Sequence, residues 1–481
     1  MNAPLHATRY ARLADELASC IHAGTLRAGD KLPSVRTLCA LHDASPATVT
    51  HALHLLEDAG LIEARPRAGF FVKRRAPERE APMQCNTELG LPQQVEICAK
   101  RRRMLDFCQQ SGGDRLGLAT LSPSLFPSHQ LQKLMTYQAR RDPSLLARYV
   151  LDAGEEALRR QIARRGVEAG CLWQADEIIV THGNIEAISL CLREMTRPGD
   201  VVAISSPCNA NFLHTMESLE LRALEIPAHP CNGVSVEALA FALSQQKIAA
   251  CLLTANFAPP TGSLMSDDAK RRIVELLAEH DVPQIEDDTF GDFYSGEQRP
   301  KPFKAFDTHG NVTLCADLSM TLSPGLGLGY IVAGKYRTAL ESRRLGLGES
   351  VSLLVQRTYA AFLESGHYEP HLRRLRRNMA EQVAALRAAV CEYFPCDSRV
   401  SCTDGGYMLW VELPRGIDTS ELQERARAEG CGFAPGELFS LGDTFRNCLR
   451  LNAGYPFTPE IESAIRRLGE LAQAMLVEQA A

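Results

Sequence analysis

The sequence lacks the features that mark several large classes of protein. No apolar run in its 481 residues approaches the length that spans a membrane. Residues 1–9 contain no apolar signal-peptide core, and no short-period repeat is visible. The net charge of −6 gives no general excess of basic residues, so any nucleic-acid contact has to come from a local patch. These absences argue against a membrane or secreted protein and predict a cytosolic chain, long enough for two domains.

The cysteines form no recognisable metal motif. The sequence has sixteen of them but no Cys-x-x-Cys pair, and many stand in apolar segments, as Cys191 does. In a cytosolic chain such residues mostly pack as small hydrophobic side chains. The loosest cluster is Cys391, Cys396 and Cys402, and its spacing matches no usual zinc pattern. We therefore expect no metal site, and a redox-sensing cysteine stays an open alternative.

Residues 9–73 have the pattern of a winged helix-turn-helix. Apolar residues recur every four positions over a predicted helix at 10–22, and Ser34 can cap a short helix at 35–41. Ser45 repeats the cap before a helix at 47–59, and Pro46 suits its first position. This last helix divides into an apolar face of Val49, Ala52, Leu53 and Leu56 and a small polar face of Ala47, Thr50, His51 and His54.

Two short strands are predicted over residues 61–72, around a turn at 66–69 that forms the wing. A helix with an apolar back and a short polar front fits the major groove of DNA. Arg65 and Arg67 at the wing tip suit contact with phosphates or with the minor groove. The alternative is a small structural α/β domain whose arginines are merely solvated.

The order and spacing of this segment resemble the GntR-type DNA-binding domain. The matching positions are Gly24, Leu26, residues 29–34, Arg36, Ser45, Thr48, Val49, Leu56, Glu57, residues 60–62, Gly69, Phe71 and Val72. Pro46 departs from the family, because arginine is often found there and would supply one DNA contact. The resemblance implies that the partner is a double-stranded DNA operator. The positions expected at the DNA are Ser34, Arg36, Ser45, Thr48, Thr50, His51, Arg65, Arg67 and Gly69.

The remainder of the chain is predicted to be a linker followed by an α/β domain. Residues 76–112 lack periodicity apart from a possible short helix at 95–109, and they separate a winged domain at 1–75 from a domain at 113–477. Strands alternate with helical patterns, which predicts a largely parallel sheet covered on both faces and then a smaller α+β part. The predicted strands are at 177–181, 201–205, 221–226, 248–255, 282–286, 312–316 and 330–333.

Residues 314–330 resemble the segment that carries the Schiff-base lysine of fold-type-I pyridoxal-phosphate (PLP) aminotransferases. A strand leads into a small polar turn, then Pro324 and Gly325, then a second apolar strand. Met320 stands at the place of the lysine, Asp317 at that of the first serine and Gly327 at that of the arginine. Because a thioether cannot form an imine with an aldehyde, this segment argues for the aminotransferase scaffold and against its chemistry.

Further aminotransferase-like motifs follow in order over nearly the whole of this region. They are Tyr149 with Gly154, residues 158–162, residues 181–183, residues 198–200, residues 285–288, Gly405 with Gly406, and residues 449–452. With the GntR-like head, the chain resembles the MocR subfamily. Its members are transcription regulators with a winged head and an aminotransferase-like, usually dimeric, effector domain.

The resemblance implies a cofactor pocket that keeps only some of its PLP contacts. Asp288 matches the aspartate that pairs with the pyridine nitrogen, Tyr149 the tyrosine that reaches a phosphate across the dimer, and Arg450 the arginine that holds a substrate carboxylate. The positions whose usual residue is replaced are Asn209, Pro259, Phe290, Asp317, Met320 and Gly327, and Gly183 and Asn184 complete the vestigial pocket.

Three functions remain open from the sequence. The leading hypothesis is a dimeric DNA-binding regulator whose aminotransferase-like domain is inactive and senses a ligand other than PLP, such as a carboxylate. The second is a regulator that still binds PLP noncovalently, and the third, disfavoured by Met320, is an active aminotransferase. Asp288 and Arg450 could instead survive as buried salt-bridge anchors, and Met320 could simply fill the core.

Overall fold

The computed structural model describes residues 10, 13–14, 17–18, 30–42, 44–58, 61–65, 69–72, 83, 89–100, 102, 115–149, 152–347, 351–401 and 404–480. The chain divides into two compact units, Met1–Glu80 and Ala81–Ala481. Most of the helix predicted at 10–22 and of the linker predicted at 76–112 lies outside the described residues, although residues 98–100 and 102 are helical. No helix in the described part is long and apolar enough to cross a membrane.

Two helices of the first unit begin at serine caps, as the sequence predicts. They are α1 (Val35–His42) and α2 (Pro46–Asp58). In each case the serine hydroxyl accepts a hydrogen bond of 3.2 Å from the backbone N–H three residues later, which satisfies one of the donors left over at a helix start. The pairs are Ser34 with Thr37 and Ser45 with Thr48.

The predicted wing is an antiparallel pair of strands, β1 (Ile62–Arg65) and β2 (Gly69–Val72). Ile62 lies opposite Val72 and Arg65 opposite Gly69, so the turn at 66–68 closes a short hairpin. The apolar face of α2 packs beneath it. The side chains of that face are at most 2% exposed and share a core with Leu38 and Ile62; they are Val49, Ala52, Leu53 and Leu56.

The second unit is built on a nine-stranded sheet. In chain order its strands are β3 (Gln93–Gln94), β4 (Ile178–Thr181), β5 (Val201–Ser206), β6 (Arg222–His229), β7 (Gly233–Val234), β8 (Ala250–Leu253), β11 (Gln284–Asp287), β12 (Val312–Asp317) and β13 (Gly329–Val332). A separate short hairpin contains β9 (Asn256–Ala258) and β10 (Ser263–Leu264). The main sheet has the order β3-β6-β5-β8-β11-β12-β13-β4, and β7 pairs with β6.

The strands β6, β5, β8, β11 and β12 run parallel, which confirms the largely parallel sheet. All seven predicted strands are present, with each end within three residues of its predicted position. By contrast, β13 is antiparallel to both β12 and β4. The reason is the short connection between β12 and β13, since a parallel neighbour needs a crossover of a dozen or more residues.

Helices cover both faces of this sheet. They are α3 (Ser128–Arg141), α4 (Glu156–Glu168), α5 (Asn184–Met195), α6 (Ala210–Ser218), α7 (Val236–Gln245), α8 (Asp267–Glu279), α9 (Arg337–Leu347) and α10 (Leu353–Glu364). Successive residues of β8 separate the faces. Leu252 packs in one core with Ile188 and Leu213, and Cys251 packs in another with Leu239 and Ile273. This alternation is the ordinary period of two along a strand.

The smaller part is an antiparallel sheet with its own helices. The strands β14 (Arg399–Val400), β15 (Met408–Glu412), β16 (Ala434–Pro435) and β17 (Cys448–Asn452) have the order β14-β15-β17-β16. The long helix α11 (Tyr368–Tyr393), α12 (Thr419–Ala428) and α13 (Pro459–Ala480) accompany it. In the middle of the sheet, Arg450 on β17 lies opposite Trp410 on β15 and Ala434 on β16.

Candidate functional site

A cavity of about 230 Å³ lies between the large and small parts of the second unit. Its lining is mostly apolar and includes Leu118, Ala119, Met408, Leu438 and Phe439. Five residues that the sequence assigned to the pocket line the same cavity, although they come from distant parts of the chain. They are Asn209, Pro259, Phe290, Met320 and Arg450.

Met320 reaches the cavity from the turn that follows β12. Its side chain is partly buried against the apolar core, and its sulfur accepts a hydrogen bond of 3.5 Å from the Tyr407 hydroxyl. The Tyr407 hydroxyl also lies 3.4 Å from the Ala119 carbonyl oxygen. The thioether is therefore a packed wall of the cavity, and it offers no amine for bond formation to a carbonyl.

Asp317, at the end of β12, uses its carboxyl group to hold this turn. One oxygen accepts hydrogen bonds from the backbone N–H groups of Ser319, at 3.2 Å, and Met320, at 3.4 Å. Burial raises the pKa of Asp317 to about 7. The Met320 N–H opposes this rise, the negative charge of Asp287 adds to it, and the Asn184 N–H again opposes it. A carboxyl group thus occupies backbone donors from both the turn and the start of α5.

The start of α5 and the strand β13 meet closely beside this carboxyl group. Gly183 precedes the helix, and a side-chain carbon at Gly329 would lie 2.4 Å from the Gly183 carbonyl carbon. Only glycine fits at Gly329 for that reason. Gly327 has a φ of +45°, in the left-handed region, so any larger residue there is strained by about 1–2 kcal/mol.

Two neighbouring aspartates at the end of β11 point to different surroundings, which corrects one sequence assignment. Asp288 does not line the cavity. Its carboxylate pairs with the Arg299 guanidinium at 2.6 Å and accepts from the Asn256 amide at 3.1 Å. Asp287 instead accepts from the Asn184 amide at 2.9 Å, on the side where Asp317 lies. The two carboxyl groups therefore have different partners, although the residues are adjacent in the chain.

Asp287 is the acidic residue that sequence reasoning missed. Burial raises its pKa to about 6, hydrogen bonds from Thr289 oppose this rise, and the charge of Asp288 adds to it. The orientation of this strand relative to α5 decides which aspartate faces the helix. The sequence contains both aspartates side by side, and no pattern in it says which one faces the start of α5.

Arg450 supplies the cation of the cavity. It lies on β17, is 7% exposed, and donates to the Gly117 carbonyl oxygen. Its guanidinium is 5.3 Å from the centre of the Phe439 ring, within the range of a cation–π contact. A guanidinium fixed in this way at an apolar cavity can bind a carboxylate by paired, charge-assisted hydrogen bonds.

Tyr149 is an assigned pocket residue that does not line the cavity. Its side chain is 74% exposed, beyond the short helical turn at Pro143–Leu146. Asn209, in contrast, lies at the cavity and caps α6 by accepting from the Asn211 N–H at 3.0 Å. Five of the eleven assigned pocket residues therefore line the cavity, and the side chain of Tyr149 is exposed.

The expected DNA-contact positions of the first unit lie at its surface where the structure describes them. His51 is exposed on α2, and the ring of Tyr10 meets it edge-on at 4.4 Å between centroids. The side chains of Thr48 and Thr50 are half-buried, and Ser34, Arg36, Ser45 and Gly69 are exposed. Arg67 and the side chain of Arg65 lie outside the described residues.

The fold family implies PLP, and the residues at the cavity do not fit that cofactor. Its phosphate carries about −1.5 to −2 charges near neutral pH and needs donors or cations. Here the carboxyl group of Asp317 already occupies the N–H groups of the turn, and Gly327 offers no cation. Phe290 has no hydroxyl for the cofactor phenolate, and none of the described residues that line the cavity is a lysine.

Comparison with protein families places both units. The family of bacterial regulatory proteins called gntR matches residues 9–72, and aminotransferase class I and II matches residues 116–468. The HTH-type transcriptional regulator YdcR of Escherichia coli is 34% identical over 97% of this chain and 100% of its own length. YjiR of the same organism, also an HTH-type transcriptional regulator, is 34% identical over 96% of this chain and 98% of its own.

Solved aminotransferases share the fold of the second unit. A multiple substrate aminotransferase from Thermococcus profundus superposes with a TM-score of 0.74 at 23% identity, covering 79% of this chain and 96% of that one. LysN, an α-aminoadipate aminotransferase from Thermus thermophilus, gives 0.72 at 25% identity, covering 78% and 95%. The chain therefore belongs to the GntR family of bacterial transcription regulators, in the MocR-type form that joins a DNA-binding helix-turn-helix domain to an aminotransferase class I and II domain.

Proposed function

We propose that the aminotransferase-like domain of this regulator is catalytically inactive, and that it dimerises the protein and senses a small carboxylate. The observation that carries the proposal is Met320, which lines the cavity at the place of the Schiff-base lysine. A thioether has no nucleophilic nitrogen, so it cannot bind an aldehyde cofactor covalently. The domain is then available for regulation through its ligand and its assembly.

Lys270, a buried lysine of the large part, does not compensate for Met320. Lys270 is 1% exposed, and its ammonium donates to the Asn256 side chain at 2.9 Å and to the Lys301 carbonyl oxygen at 2.8 Å. Asn256 in turn donates to the Asp288 carboxylate, and none of these three residues lines the cavity. Lys270 is therefore engaged elsewhere, which supports the absence of transaminase chemistry.

The lining of the cavity favours a ligand with one carboxylate and an apolar body. Arg450 provides the cation, and Leu118, Phe290, Met408 and Leu438 provide apolar surface. At about 230 Å³ the cavity suits a small molecule. A second anionic group next to Asp317 is disfavoured when that carboxyl group is ionised, because two unit charges ~4 Å apart repel by about 4 kcal/mol at an effective dielectric constant of 20. The proposed effector thus carries no phosphate.

An exposed apolar segment supports the proposed dimer. Tyr137, Leu146 and Tyr149 are 56%, 70% and 74% exposed, and they stand close together in the chain. Exposed apolar side chains in a group mark interaction surfaces more often than isolated ones do. A two-fold dimer would supply two winged domains for two half-sites of an operator, as other helix-turn-helix dimers do.

The inactivity is tested by mixing the full-length protein with PLP and recording absorbance before and after borohydride. We expect no reducible imine at Met320 and no amino transfer above a PLP control. Met320→Lys alone should bind PLP weakly, because Asp317 still occupies the phosphate donors. Adding Asp317→Ser and Gly327→Arg should improve binding, less than fully because of the strain at Gly327. Steady-state transamination by the wild type would refute the proposal.

A matched variant distinguishes the effect of a lysine at the motif position from that of a lysine elsewhere in the cavity. Met408→Lys places an amine in the same cavity at a position outside the motif. If Met408→Lys forms a reducible imine as readily as the triple variant, imine formation reports only a lysine near PLP and not a restored site. If the single Met320→Lys variant forms a stable imine of normal strength, the claim that Asp317 blocks the phosphate donors is wrong.

Ligand sensing is tested by thermal shift with short carboxylic acids that carry alkyl or phenyl groups. Their primary amides are the matched controls, since they keep shape and lose charge. We expect stabilisation by acids only, and loss of that stabilisation in Arg450→Lys, because lysine lacks the planar fork of donors. If acids and amides stabilise the protein equally, Arg450 does not recognise the carboxylate of the ligand.

The dimer is tested by sedimentation at micromolar concentration. Leu146→Glu should shift the protein towards monomer and weaken binding to DNA with two half-sites. Phe241→Glu, on α7, is the matched control because Phe241 is also an exposed apolar residue, at 57%. A wild-type protein that sediments as a monomer and binds a single half-site contradicts the proposed assembly.

A further inference from the structure

Three metal-ligand side chains meet on the edge of the large part, and none of them lines the cavity. His214 and Glu217 are three residues apart on α6, so they project from the same face of the helix. Cys98 comes from the segment that follows the edge strand β3. Their ligand atoms all lie within 4.8 Å of one another. Sequence spacing gave no sign of the group, because 116 residues separate Cys98 from His214.

Backbone contacts fix the geometry of this group. One oxygen of Glu217 accepts hydrogen bonds from the N–H groups of Ile97, at 2.7 Å, and Cys98, at 2.8 Å. Ile97 is 1% exposed and packs in the core beneath α6, so Cys98 is held in place. The Cys98 sulfur then lies 3.1 Å from the Nδ1 atom of His214. The group is thus oriented by the fold and does not depend on flexible side chains alone.

The electrostatics suit a cation. Burial by itself would raise the pKa of Glu217, but the Ile97 N–H and the thiol and N–H of Cys98 hold it below its ordinary value. Both backbone N–H groups bond to the same carboxylate oxygen, so the second oxygen can serve as a ligand. Hydrogen bonds that orient a ligating carboxylate in this way are a common outer shell of metal sites.

We propose that Cys98, His214 and Glu217 form a binding site for a divalent transition-metal ion of the zinc type. Thiolate, imidazole and carboxylate together are a donor set that Zn²⁺ and Co²⁺ accept and that Mg²⁺ and Ca²⁺ do not prefer. With metal–ligand distances of about 2.3 Å to sulfur and 2.0 Å to nitrogen, a tetrahedral ion holds these two atoms about 3.5 Å apart. The observed pair needs to open by only a few tenths of an ångström.

The remaining coordination position would belong to solvent. His214 is exposed and Cys98 is half-buried, so an ion can enter from the surface. The ion would tie α6 to the segment at residues 97–98, which continues into the helical residues 98–100. Three protein ligands with one open position leave room for solvent or another ligand on the ion, in contrast to a closed four-ligand structural site.

The test uses the reduced, chelator-stripped full-length protein titrated with Co²⁺ and Zn²⁺. We expect one equivalent of metal per chain, with a thiolate-to-cobalt charge-transfer band, and displacement of Co²⁺ by Zn²⁺. Cys98→Ser should abolish the band. His214→Ala and Glu217→Gln should each weaken binding at least tenfold, since even outer-shell losses cost about 10–100-fold in affinity. Glu217→Gln keeps an oxygen acceptor for the backbone N–H groups.

The matched control is Cys396→Ser, which removes an exposed thiol far from the cluster in sequence and should leave the titration unchanged. A second measurement needs no variant: Zn²⁺ should slow alkylation of Cys98 at least tenfold while Cys396 reacts at its usual rate. The proposal is overturned by substoichiometric binding, by a cobalt complex without the thiolate band, by binding unchanged in Cys98→Ser, or by equal alkylation of Cys98 with and without Zn²⁺.

Discussion

Replacing Asp317 by asparagine should stabilise the second unit at alkaline pH. The carboxyl group is held among buried groups beside Asp287, and its pKa is raised from an ordinary 3.8 to about 7. Asparagine has the same shape and keeps an oxygen that can accept from the Ser319 and Met320 N–H groups. The substitution therefore removes the charge and keeps the turn.

The size of the expected stabilisation follows from the shift in the pKa of Asp317. Above pH 7 both the folded and the unfolded chain carry the ionised group, and a pKa raised from 3.8 to about 7 costs the fold about 4 kcal/mol. As the pH falls through 7, the folded state takes up the proton first, so this cost shrinks to about 2 kcal/mol at pH 5. For about 400 residues the unfolding entropy is about 0.8 kcal/mol/K, which converts 4 kcal/mol into about 5 °C.

The assay is scanning calorimetry of wild type and Asp317→Asn at pH 8 and pH 5. The variant should gain about 5 °C at pH 8 and about 2 °C at pH 5. Asp307→Asn is the control of opposite sign. Burial by itself would raise the pKa of Asp307, but the Lys304 ammonium and backbone N–H groups hold it below its ordinary value, so its charge stabilises the fold at pH 8. A lower melting temperature for Asp317→Asn at pH 8, or equal gains at both pH values, would refute the reasoning.

Three further tests address other parts of the chain. Arg67→Ala should weaken binding to operator and random DNA alike and reduce the salt slope by about one for each phosphate that the arginine neutralises, whereas His51→Ala should cost about 1–3 kcal/mol on the operator alone. Fluorescence anisotropy at several salt concentrations measures both. Asp288→Asn should destabilise the second unit by up to about 3 kcal/mol, because Arg299 loses one of two carboxylate partners; calorimetry measures it. Leu53→Ala, at a side chain 1% exposed, should cost the winged unit about 2–5 kcal/mol in a denaturant titration and lower DNA affinity with it.

Each of these expectations fails in its own way. If Arg67→Ala leaves the salt dependence of DNA affinity unchanged, the wing does not contact the phosphates. If His51→Ala loses the same affinity for operator and for random DNA, His51 does not contact the base edges. If Asp288→Asn leaves the stability unchanged, the desolvation cost of the pair with Arg299 cancels its attraction. If Leu53→Ala leaves the stability unchanged, that side chain does not contribute to the core of the winged unit.

The sequence by itself determined the secondary elements and the two architectures. Apolar residues on one face of the helix at 47–59 predicted the buried set of Val49, Leu53 and Leu56, and the structure confirms it. Runs of apolar residues predicted seven strands of the large sheet. Periodicity works here because burial on one side of a helix, or on both sides of a sheet, has to be written into the local order of residues.

Motif order also anticipated part of the cavity. Asn209, Phe290, Met320 and Arg450 are far apart in the chain, and the family resemblance placed them in one pocket where the structure finds them. Their roles in ligand binding stay predictions. The same resemblance assigned Tyr149, which one chain leaves exposed.

Only the tertiary structure decided which neighbouring groups meet. Asp287 and Asp288 are equivalent in the sequence, and the phase of β11 against α5 selects Asp287 for the Asn184 side. The contact of Asp317 with the Asn184 N–H, and the meeting of Cys98 with α6, depend on the same packing of distant segments. Local patterns record whether a side chain is buried. Which partner it meets depends on the register and direction of elements that lie a hundred or more residues away, and no local pattern encodes these.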